Sequence, residues 1–419
     1  MPIAVIFVAL IFFYTLASRR LERTVVTAPM LFTAAGMLAF HELSALQSMP
    51  WLPGRESSQG LFLHVAEIGL VLLLFTDASR TDCRVLNRIR NLPVRLLSAG
   101  MLLTILLGML AAKAVFPQMT WWEAGILAAI LAPTDAGLGQ IIVNSERVPL
   151  RVRQALNVEA GLNDGLSVPF LLFFMALAAA GEEGARASLT QFIVEQLGYG
   201  VLVGGGIGLV GGWLLGLARR KEWLAGSMLP LGVVALPLLC LLASVATGAS
   251  MFIAAFVAGL AVQAGFKETG KHDVEFTDEW GQLVNLAVFF LFGMVAASDW
   301  TQFTWTHWLY AAVSLTAVRM LPVAIALIGS RLHPVTVLFM GWFGPRGLAS
   351  IVLGLVYLEM ETRLPGEETI RLTVMTTVWL SIFAHGLSAL PGMNFYAGKM
   401  KTLPAAAPEH QELEAKSAA

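Results

Sequence analysis

Three polar side chains, Glu159, Asn163 and Asp164, lie in the run NVEAGLNDGLSVPFLLFF, directly before a long apolar segment. Ionisable groups cost about 2.5 to 3.5 kcal/mol each near the centre of a bilayer, so they mark functional sites by default. Two further charges interrupt apolar runs: Asp135 in ILAAILAPTDAGLGQIIV and Arg346 in MGWFGPRGLASIVLGLV. These residues are the candidates for the chemistry of the protein, and the rest of the chain must position them.

Helical geometry separates the two acids of this run. Glu159 and Asn163 are four residues apart and share a face, whereas Asp164 lies about 100° further round the helix. One face can therefore meet a protein cation, and we predict a structural ion pair between Glu159 and Arg346. Asp164 then has no basic partner, so its carboxylate must hold a proton or a metal cation. One acid with two competing cations is the chemistry of an exchanger, and a single such acid predicts electroneutral exchange.

Pro and Gly residues flank the charges of two other spans and predict broken helices there, because Pro removes a backbone donor and Gly tolerates unusual dihedral angles. Such breaks, seven spans apart, are typical of inverted-repeat transporters, which bind ions at them. Unwound backbone near Thr134 can supply oxygen ligands to Na⁺, Li⁺ or K⁺. Asp135 either caps the broken helix ends or binds the ion directly. The flanking residues are Pro133, Gly137, Gly139, Gly344, Pro345 and Gly347.

The composition indicates what kind of scaffold holds these groups. Of the 419 residues, 57% are hydrophobic and 13% charged, with a mean hydropathy of +0.73, whereas soluble domains carry about 25% charged residues. Apolar runs near the ~20 residues that a helix needs to cross a bilayer recur along the chain. We predict an all-α polytopic membrane protein with about 13 transmembrane helices. They fall at 2–17, 25–40, 60–76, 96–116, 121–143, 154–180, 192–218, 227–247, 249–266, 280–297, 308–330, 335–358 and 371–390.

Basic residues set the expected orientation. Most Lys and Arg residues fall in alternate loops, such as 19–23, 80–95 and 147–153, and such loops stay cytoplasmic. The N-terminus is then outside and the C-terminus cytoplasmic. We assign residues 1–395 to a transmembrane exchanger domain and 396–419 to a short cytoplasmic tail, whose composition predicts disorder. The first apolar run precedes its basic residues, so we interpret it as a span and not as a signal peptide.

Other residues have structural interpretations. The seventh span, GYGVLVGGGIGLVGGWLLG, carries small residues at every fourth position, which lets helices pack closely. Asp77 either ends the third span as a solvated cap or reaches the ion path. Arg319 is interpreted as a structural or snorkelling residue, and His64 and His385 as hydrogen-bonded residues of the interior. The isolated cysteines, Cys83 and Cys240, predict no disulfide.

The motifs together resemble the monovalent cation:proton antiporter-1 family, in its NhaP-type and sodium/hydrogen exchanger branch. APTDAGLGQIIV and VPLRVRQALNVEAGLNDGLSVPF resemble its fifth and sixth helices, GPRGLASIV its arginine helix and SIFAHGLSALPG its last span. The resemblance covers about residues 1–395. It implies inverted repeats with two broken crossing helices, a six-helix core and a dimerisation domain, assembled as a homodimer.

The resemblance also implies residue roles. Asp164 carries the ion and the proton, Thr134 contributes a ligand to the monovalent cation, and Asp135 and Asn163 stabilise the site. The ion pair predicted above takes the structural role. Ala160 stands where the family often has a Ser that can bind the ion, which leaves the choice between Na⁺ and K⁺ open.

The function expected from the sequence is that of a secondary antiporter, which exchanges Na⁺, Li⁺ or K⁺ for H⁺ by alternating access. Its partners are the transported ions, the lipid bilayer and a second copy of the chain, with no nucleic acid and no cofactor. We expect it in the bacterial inner membrane. The alternative is a potassium efflux protein or cation channel, which favours a continuous polar pore. An intramembrane enzyme would need paired catalytic acids or an HExxH-like site, and the sequence has neither.

Overall fold

A computed structural model describes residues 2–21, 24–44, 55–80, 91–143, 145–192, 198–266, 271–359, 364–404 and 407–410. In these ranges the regular structure is helical throughout, as the sequence predicts. The helices are α1 (Pro2–Leu21), α2 (Ala28–Ser44), α3 (Arg55–Arg80), α4 (91–115, with a π-turn at Leu96–Gly100), α5 (Trp121–Ile130), α6 (Ala136–Val143), α7 (Leu150–Phe192), α8 (Tyr199–Arg220), α9 (Leu229–Thr247), α10 (Met251–Gly265), α11 (Lys271–Ser298), α12 (Trp305–Leu315), α13 (Ala317–Ala326), α14 (Pro334–Trp342), α15 (Leu348–Glu359) and α16 (Glu367–Met400).

These helices are those of an integral membrane protein. Among the described residues, eight helical segments are long and apolar enough to cross a membrane, and four shorter apolar helices accompany them. Each span predicted from the sequence overlaps one or two of the helices. The polytopic all-α prediction is confirmed, while the count of about 13 crossings stays a prediction.

Two of the predicted spans are broken where Pro and Gly residues flank a charge. In the fifth span α5 ends at Ile130 and α6 begins at Ala136, and in the twelfth α14 ends at Trp342 and α15 begins at Leu348. A third break was not predicted. It divides the eleventh span at Thr316, where φ is −106° and ψ −89°, into α12 and α13.

The helices pack in two groups. The first contains α1–α3 and α8–α11, with α10 against α3 and α8, and α11 against α2 and α3. Every fourth residue of α8, from Gly200 to Gly216, is buried, and a Cβ on Gly208 would collide with the backbone of Ala258 in α10. The predicted small-residue ridge is therefore confirmed as a packing surface.

The second group contains α4–α7 and α12–α16, and it holds the residues singled out in the sequence. Here α5 packs against α4 and α7, and α12 packs against α16. The two groups meet where α3 contacts α7 and α15. The long helix α7 therefore lies at the boundary between the groups.

Some sequence predictions fall near or outside the edges of the described structure. The helix α16 continues to Met400, so the proposed domain end at residue 395 lies inside a helix, and the division itself stays a prediction. Residues 411–419 of the expected tail, and Cys83, lie outside the described ranges. Cys240 is a buried free thiol.

Candidate functional site

The two broken spans contact each other at their breaks through Asp135. Its backbone N–H donates to the carbonyl oxygen of Pro345, at 2.8 Å. Its Oδ1 accepts from the N–H of Leu138, at 3.0 Å, and its Oδ2 accepts from the N–H of Leu348, at 2.6 Å. The carboxylate thus caps the first turns of both α6 and α15, where backbone donors lack helical partners. The geometry supports the capping interpretation of this acid.

Glycines make this close approach possible. A Cβ on Gly347 would collide with the carboxylate of Asp135, and a Cβ on Gly344 would collide with the guanidinium of Arg319. Gly344 and Gly347 therefore need to be glycines, because charged side chains from other helices occupy the space that a Cβ would take.

Arg346 performs the complementary task at the first break. It is completely buried, and its Nη1 donates to the carbonyl oxygens of Ala132, at 2.7 Å, and Pro133, at 2.9 Å. These carbonyls follow the end of α5, where the break removes their helical partners. A cation beside the C-terminal end of a helix also compensates the helix dipole. The acid of one break and the arginine of the other thus stabilise the free backbone groups of both spans.

The prediction that Glu159 pairs with Arg346 is wrong, because a different arginine binds Glu159. Arg319 takes that place, with its Nη1 2.6 Å from Oε1 of Glu159, and both side chains are buried. Arg346 has no acidic partner within 4.0 Å among the described residues. The carbonyl oxygens left without helical partners at the first break accept hydrogen bonds from its guanidinium instead. The available signal for Arg319 was its position inside the apolar run SLTAVRMLPVAIAL, since a buried cation needs an acid.

Asn163 of α7 contacts Thr134 in the break of the fifth span, and Asp164 is the next residue of α7. The Nδ2 of Asn163 donates to Oγ1 of Thr134, at 2.7 Å. Asp164 is only 3% exposed, and no Lys or Arg of the described chain lies within 4.0 Å of its carboxylate. Within the same ranges, the Oδ1 atoms of Asp164 and Asn163 lack hydrogen-bond partners. The Asp164 oxygen is thus left free to accept a proton, and both oxygens are free to bind a cation.

A small cavity reaches this region from one end of the core. Its floor is formed by Thr134, Asp135 and Ala160, and its walls include Ile142 of α6 and Leu156 of α7. The space open to the centre of a water-sized sphere is about 20 Å³, enough for one water molecule. Val143, the last residue of α6, also lines the cavity. Asp164 lies one helical turn beyond Ala160 and does not line the cavity.

Asp77 of α3 lies against α7 at Gly161, three residues before Asp164. A Cβ on Gly161 would approach the Cβ of Asp77 to 3.2 Å, so this acid of α3 packs directly against the ion-site helix. It also lies within electrostatic reach of Asp164. α3 continues to Arg80. Of the two interpretations drawn from the sequence, the geometry favours a position beside the ion path over a solvated helix end.

Comparisons with known proteins agree with this architecture. Residues 5–393 match the sequence model of a family described as sodium/hydrogen exchanger, transmembrane. The chain is similar to the solved sodium proton antiporter MjNhaP1 from Methanocaldococcus jannaschii at pH 8, with a TM-score of 0.69 and 21% identity. That alignment covers 92% of this chain and 97% of the other. At this level of identity the likeness concerns the fold.

Two relatives are similar in sequence. The Na⁺/H⁺ antiporter of Schizosaccharomyces pombe is 24% identical over 311 residues, covering 66% of this chain and 65% of that protein. The K⁺/H⁺ antiporter NhaP of Alkalimonas amylolytica is 26% identical over 295 residues, covering 70% of this chain and 50% of that protein. The matches thus span less than two thirds of the length of either relative.

Proposed function

The chain belongs to the sodium/hydrogen exchanger family, and from this premise we propose that it is a secondary antiporter exchanging Na⁺, Li⁺ or K⁺ for H⁺. The observation that carries the proposal is the Asp164 carboxylate, buried without a Lys or Arg within 4.0 Å in the described chain. In a low-dielectric interior such an acid must be neutralised by a proton or by a metal cation. Because it cannot hold both, binding one releases the other.

The remaining groups supply the ligands and hold them in place. Thr134 and the unwound backbone beside it offer hydroxyl and carbonyl oxygens, which suit alkali cations. Asn163 fixes the Thr134 hydroxyl by its hydrogen bond of 2.7 Å. Asp135 stabilises the crossing of the two breaks through the backbone N–H groups of Leu138 and Leu348, from which its carboxylate accepts. Asp77, beside α7, is a further candidate ligand or relay for the incoming cation.

The two-group architecture supports alternating access as the mechanism. The group with the broken helices carries the site, and the group with α1–α3 and α8–α11 is the dimerisation domain of a homodimer. The distribution of basic residues assigns the Arg-rich segment 147–153 to the cytoplasm, which puts the N-terminus outside. We place the protein in a bacterial inner membrane.

Proton flux in proteoliposomes tests the proposal. Vesicles with an acidic interior receive Na⁺, Li⁺ or K⁺ outside, and a pH-sensitive dye reports the interior. We expect at least one cation to dissipate the pH gradient, Asp164→Asn to abolish this flux and Glu146→Gln, at an exposed loop position, to retain it. Because protons and cations compete, the apparent KM for the cation should fall as the pH rises. Full activity of Asp164→Asn would overturn the carrier assignment.

A further inference from the structure

We propose that His385 is a positioning residue for cation binding: its imidazole, together with Ser381, fixes the break between α14 and α15 and thereby places Thr134. The inference rests on the proposed exchange function. His385 lies on α16, is 2% exposed and does not touch the cation site itself. Its effect must therefore pass through the backbone of the break.

The imidazole contacts the first side of the break. Its Nε2 lies 2.9 Å from the carbonyl oxygen of Trp342, the last residue of α14. A carbonyl can only accept, so Nε2 carries the hydrogen. The same carbonyl accepts the N–H of Gly344, at 2.9 Å, in the turn that leaves the helix. The His385 imidazole therefore fixes the carbonyl group that accepts the hydrogen bond of this turn.

Ser381 contacts the other side of the break. The Nδ1 atom of His385 lies 3.1 Å from Oγ of Ser381 and 3.0 Å from the carbonyl oxygen of the same residue. The Ser381 hydroxyl in turn accepts the backbone N–H of Arg346, at 2.6 Å. The two side chains lie one helical turn apart on α16. They thus form hydrogen bonds at both ends of the non-helical segment between α14 and α15.

The opposite end of this chain of contacts is the cation site. The guanidinium of Arg346 donates to the carbonyl oxygens of Ala132 and Pro133. The next residue is Thr134, whose hydroxyl accepts from Asn163. Every step from His385 to the site is a hydrogen bond or a peptide bond between buried groups. Loss of the imidazole hydrogen bonds should therefore loosen the placement of Thr134 without removing any ligand.

Ser388 provides a matched control on the same pair of helices. Its Oγ accepts from Nε1 of Trp342, at 2.9 Å, so it also joins α14 to α16. It does so through the indole side chain and not through the backbone of the break. Ser388→Ala consequently removes one hydrogen bond between these helices and leaves the contacts of the break intact.

The experiment measures apparent KM and maximal rate for Na⁺ or K⁺ in proteoliposomes containing the full chain. His385→Phe keeps a ring beside Trp342 but removes both hydrogen bonds, and His385→Gln restores a donor and an acceptor. We expect His385→Phe to raise the KM about fivefold, the effect of losing a net hydrogen bond, with the maximal rate changed much less. The Gln variant and Ser388→Ala should keep the parent KM.

Three results would overturn the inference: an unchanged KM in His385→Phe, an equal rise in Ser388→Ala, or a fall in maximal rate with KM unchanged. If His385→Phe does not fold, Ser381→Ala replaces it, since it removes the hydroxyl between ring and break, and an unchanged KM there overturns the inference equally. Absence of cation-dependent proton flux in the unmodified protein would instead reject the proposed function. The two failures are thus distinguishable.

Discussion

Arg319 of α13 and Glu159 of α7 form an ion pair inside the second helix group, with 2.6 Å between Nη1 and Oε1. Their side chains are 4% and 3% exposed. Removing two charges from water costs several kcal/mol per ion, so neither residue is tolerated here without the other. The pair ties the helix that carries Asp164 to the helix that follows the Thr316 break.

Replacing Arg319 by Met should leave Glu159 as an unpaired buried charge. We expect the free energy of unfolding to fall by about 3 to 5 kcal/mol, the usual effect of breaking a buried pair, or the protein not to accumulate. Thermal unfolding of the detergent-solubilised protein measures this.

The double variant Arg319→Met with Glu159→Leu supplies the control. An apolar pair of similar volume is often neutral or stabilising, so the double variant should unfold close to the parent. If the two single substitutions simply add in the double variant, the residues are not energetically coupled and the assignment is wrong.

This ion pair also shows which features of the site can be predicted from the sequence and which cannot. Helical periodicity places Glu159 and Asp164 on different faces of α7, which correctly separates a paired acid from an unpaired one. Periodicity carries no information on which arginine lies across from a given face. The sequence motif around Arg346 favours that residue as the partner of Glu159, yet its guanidinium donates to the carbonyl oxygens of Ala132 and Pro133. Which groups bind this guanidinium depends on how the two broken spans pack against each other in three dimensions.

The helix breaks also divide into those that the sequence predicts and one that it does not. Those at Asp135 and Arg346 were predictable because Pro and Gly cannot continue a helix without cost. The break at Thr316 has neither residue directly at it, and its hydroxyl bonds back to the carbonyl of Ala312, at 2.6 Å. Such back-bonding by Thr bends helices but leaves no unambiguous sequence pattern. Tertiary contacts, including the pair of Arg319, stabilise it.

Exchange by a single free acid should be electroneutral. If Asp164 carries either one proton or one monovalent cation, each cycle moves no net charge. We expect the initial rate of exchange to stay nearly constant when K⁺ and valinomycin clamp the membrane potential at different values, measured with Na⁺ or Li⁺ as substrate. A strong dependence on potential would show that a second group, with Asp77 the nearest candidate on α3, also titrates during the cycle.

Position 160 should influence cation preference. Ala160 lines the cavity beside Thr134 and Asp135, so a hydroxyl there would add an oxygen ligand next to the site. We expect Ala160→Ser to lower the KM for Na⁺ more than that for K⁺, because the smaller ion gains more from an additional hard oxygen ligand. Ala179→Ser, at an exposed position of the same helix, should change neither. Equal KM ratios in both variants would exclude position 160 from the coordination sphere.

The glycine ridge of α8 permits a stability test that is independent of the ion site. A Cβ on Gly208 would collide with the backbone of Ala258 in α10, whereas a Cβ on Gly205 meets no atom within 4 Å in the described chain. Gly208→Ala should therefore force α8 away from α10 and lower the midpoint of thermal unfolding.

Gly205→Ala makes the same chemical change at a half-buried position of α8 where the added Cβ has open space. It should leave the midpoint unchanged or raise it slightly, since Ala favours the helical conformation over Gly by about 1 kcal/mol. A fall of the same size in both variants would mean that the change acts on the helix itself. A selective fall in Gly208→Ala identifies backbone contact between α8 and α10 as the stabilising feature of the first helix group.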